Sequence, residues 1–182
     1  MKLKRTIPII ALMLVFIALV SCGKNTDVPA GMKLASDTTI VDYSLFVPES
    51  WVIDRHDGAT MAHVSDTDRS SVTVAQWNIT EDIKNFDMWW DDYKKQMNEA
   101  LGEITVLTEA EKGALDGKAA QRYVYTAKRG EATYTFDLTV CAKGGSMYIL
   151  TYTSIGNPSE ENSLYSSNLD TVKKIIENFR FN

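Results

Sequence analysis

Apolar and polar positions change rhythm several times along the chain. Met1-Lys2-Leu3-Lys4-Arg5 precedes an almost unbroken apolar run from Ile7 to Val20, and Ser21-Cys22-Gly23 follows. From Gly23 to about Thr38 no period is visible, and Gly, Pro, Ser, Asp and Lys suit a tether. Alternation begins near Ile40. Tyr43 to Val47 predicts a short strand stopped by Pro48, and Trp51 to His56 with Ala59 to Val64 predicts a hairpin about Asp57-Gly58, residues that accept the positive φ of a type I′ turn. Ser70 to Trp77 predicts a further strand, with Val72 and Val74 on one face.

The period then becomes helical. Phe86, Trp90, Tyr93, Met97 and Leu101 recur three or four residues apart, and Gly102 suits the helix end. Ile104 to Thr108 predicts a strand, followed by turns at Lys112-Gly113 and Asp116-Gly117. Gln121 to Lys128 and Glu131 to Ala142 predict two long strands joined at Arg129-Gly130, and Ser146 to Ser154 predicts a third after Lys143-Gly144-Gly145. Ser159 is offered as an N-cap ahead of Glu160 and Glu161, and Leu169, Val172, Ile176 and Phe179 mark a closing amphipathic helix. Short turns between neighbouring strands imply an antiparallel sheet, and two apolar helix stripes need sheet faces to cover. The expected class is α+β, an antiparallel β-sheet flanked by amphipathic helices.

Two stretches carry a family resemblance. Asp42-Tyr43-Ser44-Leu45-Phe46-Val47-Pro48-Glu49-Ser50-Trp51 resembles the opening strand of PsbP-like proteins, and Ile175-Ile176-Glu177-Asn178-Phe179-Arg180-Phe181 resembles their closing helix and terminal strand. The resemblance covers about Ile40 to Asn182. It implies an α/β/α sandwich and a non-enzymatic assembly or binding role, and it transfers no functional residue because the matching positions are structural.

The apolar block at the front reads as an export signal. Its roughly 14 apolar residues fall short of the ~20 needed to span a bilayer as a helix. Leu19-Val20-Ser21-Cys22 resembles the lipobox of bacterial lipoproteins, which implies cleavage before Cys22 and a diacylglyceryl thioether on its sulfur. The expected organisation is a lipoprotein signal peptide at 1–21, a lipidated tether at 22–39 and a single PsbP-like domain at 40–182. The expected location is extracytoplasmic, at the bacterial cell membrane; Gly23 is not the aspartate that resembles an inner-membrane retention signal, so an outer-membrane destination stays open.

Removing Lys2, Lys4 and Arg5 takes the 19 basic residues down by three against an unchanged 24 acids, so the net charge moves from −5 to −8. Such a surface repels nucleic acid and leaves the membrane to the lipid on Cys22. With Cys22 modified, Cys141 has no partner for an intramolecular disulfide. The expected protein partner lies in the cell envelope, and no cofactor is expected.

Candidate chemistry is sparse. His56 and His63 share a face of the predicted hairpin but stand roughly 13 Å apart at about 3.3 Å per residue, too far for one metal ion, and read as separate surface histidines. Asp66-Thr67-Asp68 opens like a calcium loop, but Trp77 stands where an EF-hand needs its Glu. Cys141 has Lys143 nearby and no histidine, so it reads as a structural thiol. With Arg129-Gly130 as a two-residue turn, Arg122 falls opposite Asp137 on a face with Thr139, Cys141, Tyr148 and Tyr152. That face is either a cross-strand ion pair on a half-solvated sheet or the polar floor of a binding cleft. Trp89, about 100° from Trp90 around the helix, is either core flank or an exposed anchor for a partner.

Overall fold

A computed structural model describes residues 27–56, 59–79 and 85–182, with the side chains of residues 55, 56 and 59 left aside. The expected signal peptide, Cys22 and the Asp57-Gly58 turn lie outside the described residues. The strands are β1 (Met32–Leu34), β2 (Tyr43–Ser44), β3 (Phe46–Pro48), β4 (Val52–His56), β5 (Ala59–His63), β6 (Ser71–Asn78), β7 (Ile104–Leu115), β8 (Lys118–Arg129), β9 (Ala132–Lys143), β10 (Ser146–Ile155) and β11 (Arg180–Phe181). The helices are α1 (Phe86–Leu101) and α2 (Leu164–Asn178).

Seven strands form one antiparallel sheet in the order β4-β5-β6-β10-β9-β8-β7. Each long strand alternates its side chains between two cores, as a period of two requires. One face carries Tyr123, Tyr125, Leu138, Val140, Met147 and Ile149 and is covered by Trp89, Trp90 and Tyr93 of α1. The other carries Val72, Val74, Leu150 and Tyr152 and is covered by Tyr165, Val172 and Ile175 of α2, together with Leu45, Val47 and Trp51. The α+β class, an antiparallel sheet flanked by amphipathic helices, therefore holds.

Four local expectations need correction. The tether does not extend to residue 39, because β1 pairs with β3 and Ala35 and Ser36 are buried, the latter donating from its hydroxyl to Tyr43 O at 3.1 Å. Lys112-Gly113 is not a turn: β7 runs through it, with register shifts between Val106 and Thr108 and between Thr108 and Glu111, where Ala110 takes φ 55°. A β-bulge absorbs extra residues without ending the strand. The β8–β9 turn is Gly130-Glu131, since Arg129 pairs with Ala132. Gly130 takes φ 65° at the first central position, which a glycine fills without strain and an arginine does not. The cap of α2 is Ser163, whose Oγ accepts from Ser166 N at 3.2 Å, rather than Ser159.

The entry to α2 rests on Gly156, at φ 111°, where an added Cβ would collide with Ser163 Cβ. Gly156→Ala is expected to lower the urea midpoint by the equivalent of about 1–3 kcal/mol, through strain and displacement of the cap. An unchanged midpoint would mean that the α2 cap moves freely.

Candidate functional site

Arg122 on β8 and Asp137 on β9 meet through two hydrogen bonds. Arg122 Nε donates to Asp137 Oδ1 at 2.9 Å and Nη2 donates to Oδ2 at 2.8 Å. The sequence places them directly opposite each other, and the register corrects this: Arg122 pairs with Thr139, and Asp137 pairs with Val124. The turn lies one residue later than expected, which moves the register by two positions. Because side chains alternate with period two, that slip leaves every residue on its expected face and converts a direct pair into a diagonal one.

The pair belongs to a larger cluster. Tyr165 OH on α2 donates to Asp137 Oδ2 at 2.8 Å, and Arg122 Nη1 donates to Glu111 Oε2 on β7 at 2.8 Å. Side-chain exposure grades outward from 8 % at Asp137 to 38 % at Arg122 and 55 % at Glu111. The hydrogen bonds to Asp137 strongly favour the charged guanidinium. Burial, reinforced by the Asp137 charge, pushes the Tyr165 phenol well above its ordinary value, so it stays a donor. The result is a guanidinium clamped from beneath by a buried carboxylate and a neutral phenol, with one edge turned outward.

Beside it lies a groove of about 310 Å³ between α2 and β7. Arg122, Asp137 and Thr139 contribute to its lining together with Leu169, Val172 and Ile176 of α2.

The remaining expected site residues do not join this groove. Tyr148 is buried and its hydroxyl donates to Asp42 Oδ2 at 2.6 Å. Tyr152 is buried against Tyr165, with ring centroids 5.3 Å apart, and its hydroxyl donates to Tyr165 O at 3.1 Å. Cys141 is fully buried, and burial pushes its thiol up despite Lys118 and Lys143 nearby. Trp89 lies on the opposite face of the sheet and is only 1 % exposed, stacked on Tyr93 at 4.9 Å, so it is no exposed anchor. His63 is buried rather than at the surface, with Arg69 Nη1 at 2.8 Å from its Nε2. The hairpin register places His56 opposite Ala59 and His63 opposite Val52, as expected.

Sequence reading missed Glu111 and Tyr165. Glu111 was obscured by the expected turn at Lys112-Gly113. Tyr165 had a usable signal: it stands four residues before Leu169 and so extends the apolar stripe of α2 by one turn.

Among the described residues, no group of three His, Cys, Asp or Glu side chains could hold a metal ion, and no helix is long and apolar enough to cross a membrane.

No protein-family model matches the chain, and no curated protein matches it. Solved structures do resemble it. Cyanobacterial PsbP (CyanoP) from Synechocystis aligns with 90 % of this chain and 99 % of its own, at TM-score 0.57 and 18 % identity. The Ran-binding protein Mog1p of Saccharomyces cerevisiae aligns with 82 % of this chain and 95 % of its own, at TM-score 0.57 and 7 % identity. LpqN of Mycobacterium tuberculosis, involved in cell envelope biogenesis, aligns with 75 % of this chain and 81 % of its own, at TM-score 0.51 and 12 % identity. At such identities the likeness is one of fold, and the fold it shows is the PsbP-like antiparallel sheet between helices.

Proposed function

We propose that this protein is a lipoprotein, held on the extracytoplasmic side of the cell membrane by a diacylglyceryl group on Cys22, where it acts as a non-catalytic binding or assembly module. The observation that carries the reading is the order of features at the front of the chain: Lys2, Lys4 and Arg5, an apolar run too short to span, Ser21 and then Cys22. Further support comes from LpqN, a protein of the same fold involved in cell envelope biogenesis. The ten residues from Cys22 to Met32 of β1 reach at most about 35 Å when fully extended, so the domain would work close to the bilayer. A net charge of −8 after cleavage disfavours nucleic acid as the partner and leaves attachment to the acyl chains.

Metabolic labelling with a palmitate analogue tests the anchor. Wild-type protein is expected in the membrane fraction with label, and Cys22→Ala is expected to lose the label completely. A labelled Cys22→Ala protein, or an unlabelled wild type, would overturn the assignment. In-cell crosslinking tests the assembly role: a protein partner captured by the wild type is expected to be lost in Lys173→Glu, a change at the exposed wall of the α2 groove.

A further inference from the structure

We propose that the groove between α2 and β7 binds a small carboxylate with an apolar tail, its carboxylate replacing Glu111 at Arg122 Nη1 and its tail lying along Leu169, Val172 and Ile176. The inference deepens the binding-module reading and rests on it. Three observations converge. First, Asp137 occupies the Nε and Nη2 edge of Arg122, and Tyr165 fixes Asp137 in turn, so the guanidinium is immobile and its Nη1 donors face outward. Second, the residue now accepting from Nη1 is a carboxylate on an exposed strand. Glu111 is brought there by the irregularity in β7 between Thr108 and Glu111, and bulges characteristically re-aim a side chain in this way. An ion pair this exposed contributes little, so a ligand carboxylate displaces it at little cost.

Third, the groove is amphipathic in the required sense. Its α2 wall is apolar at Leu169, Val172 and Ile176, while Lys112 and Lys173 also line it. A volume of about 310 Å³ lies at the lower end of the roughly 300–1,000 Å³ of ligand pockets, which selects a small molecule. The charge balance suits a monoanion: Arg122, Lys112 and Lys173 line the groove against Asp137 and Glu111, which leaves one positive charge in excess.

Hexanoate is a suitable probe, with acetate and hexylamine as controls, titrated calorimetrically into the full protein in lipid nanodiscs with empty discs as the blank. Saturable hexanoate binding is expected, with weaker binding of acetate and none of hexylamine. Glu111→Gln, an exposed change that leaves the Asp137 clamp intact, is expected to tighten hexanoate about 2–5-fold by removing the internal competitor. Ile176→Asp is expected to reduce hexanoate to the acetate level. The proposal is overturned if neither wild type nor Glu111→Gln binds hexanoate saturably, if Glu111→Gln weakens it, or if acetate binds as well as hexanoate. Palmitate labelling at Cys22 and capture of a protein partner are separate readouts, so their success alongside a failed titration would discard the carboxylate site alone.

Discussion

Above about pH 10 the domain is expected to unfold cooperatively, because its buried tyrosines are protonated in the native state over a range where the unfolded chain ionises them. Seven tyrosines, at positions 43, 93, 123, 125, 148, 152 and 165, have phenols raised above the ordinary 10.0, and burial is the largest cause in every case. At Tyr123, where the charges of Asp87 and Glu109 add to burial, the value is pushed up to about 12. At Tyr148 the hydrogen bond to Asp42 adds, and at Tyr125 the neighbouring Tyr93. A phenol that holds its proton longer when folded contributes full stability below pH 10.0, and that stability declines as pH rises from there toward the folded value. Each such group costs about 1.4 kcal/mol per pH unit in that window. Several acting together match the roughly 5–15 kcal/mol that stabilises an ordinary domain. Phenolate absorbance and far-UV circular dichroism should therefore change together, in one transition. Gradual phenolate formation with secondary structure intact would show that the tyrosines are not buried as described.

Trp90→Ala is expected to cost about 3–5 kcal/mol, the usual range for deleting a large aromatic from a core. Trp90 is 2 % exposed and stacks on Tyr123 with ring centroids 4.4 Å apart, with Tyr93 at 5.8 Å and Trp89 at 6.1 Å. Lys94 Nζ lies 5.5 Å from the centroid of the same ring. Its indole nitrogen has no hydrogen-bond partner among the described residues, so its contribution comes from the ring. Trp90→Phe should accordingly cost clearly less than the alanine variant in urea unfolding. Equal losses in the two variants would mean that a phenyl ring recovers none of the stacking on Tyr123.

What was legible in the sequence follows from what has a period. Both helices and the long strands β6, β8, β9 and β10 announced themselves, because their buried residues repeat every two or every three to four positions. The two faces of the sheet were readable even though the turn between β8 and β9 was set one residue early, since the resulting slip of two preserves parity. Arg122 and Asp137 were consequently found together, though as diagonal rather than direct partners. Features without a period were lost. Three-residue β1 has too few positions to show alternation, and the bulges in β7 break the alternation that would have carried the strand past Gly113. Trp89 stayed open between core flank and exposed anchor for a different reason: angular position on a helix measures distance from the apolar stripe, whereas the aromatic layer here is wide enough to enclose it, with Trp77 reaching across at 6.5 Å.

β2 is completed by β11, with Arg180 opposite Ser44 and Asn182 N donating to Asp42 O at 2.8 Å. Phe181 N also donates to Asp116 Oδ2 at 2.9 Å, tying the same segment to the turn between β7 and β8. The closure therefore joins residues separated by nearly the whole length of the domain, the kind of contact that forms late because a long loop must be ordered first. For a chain threaded through a membrane pore front end first, Tyr43 and Ser44 emerge long before the residues that pair with them. The first strands must then wait, partly unsealed, until the final turn of α2 and β11 arrive. Under the proposed export, the domain is expected to close only once its tail has passed.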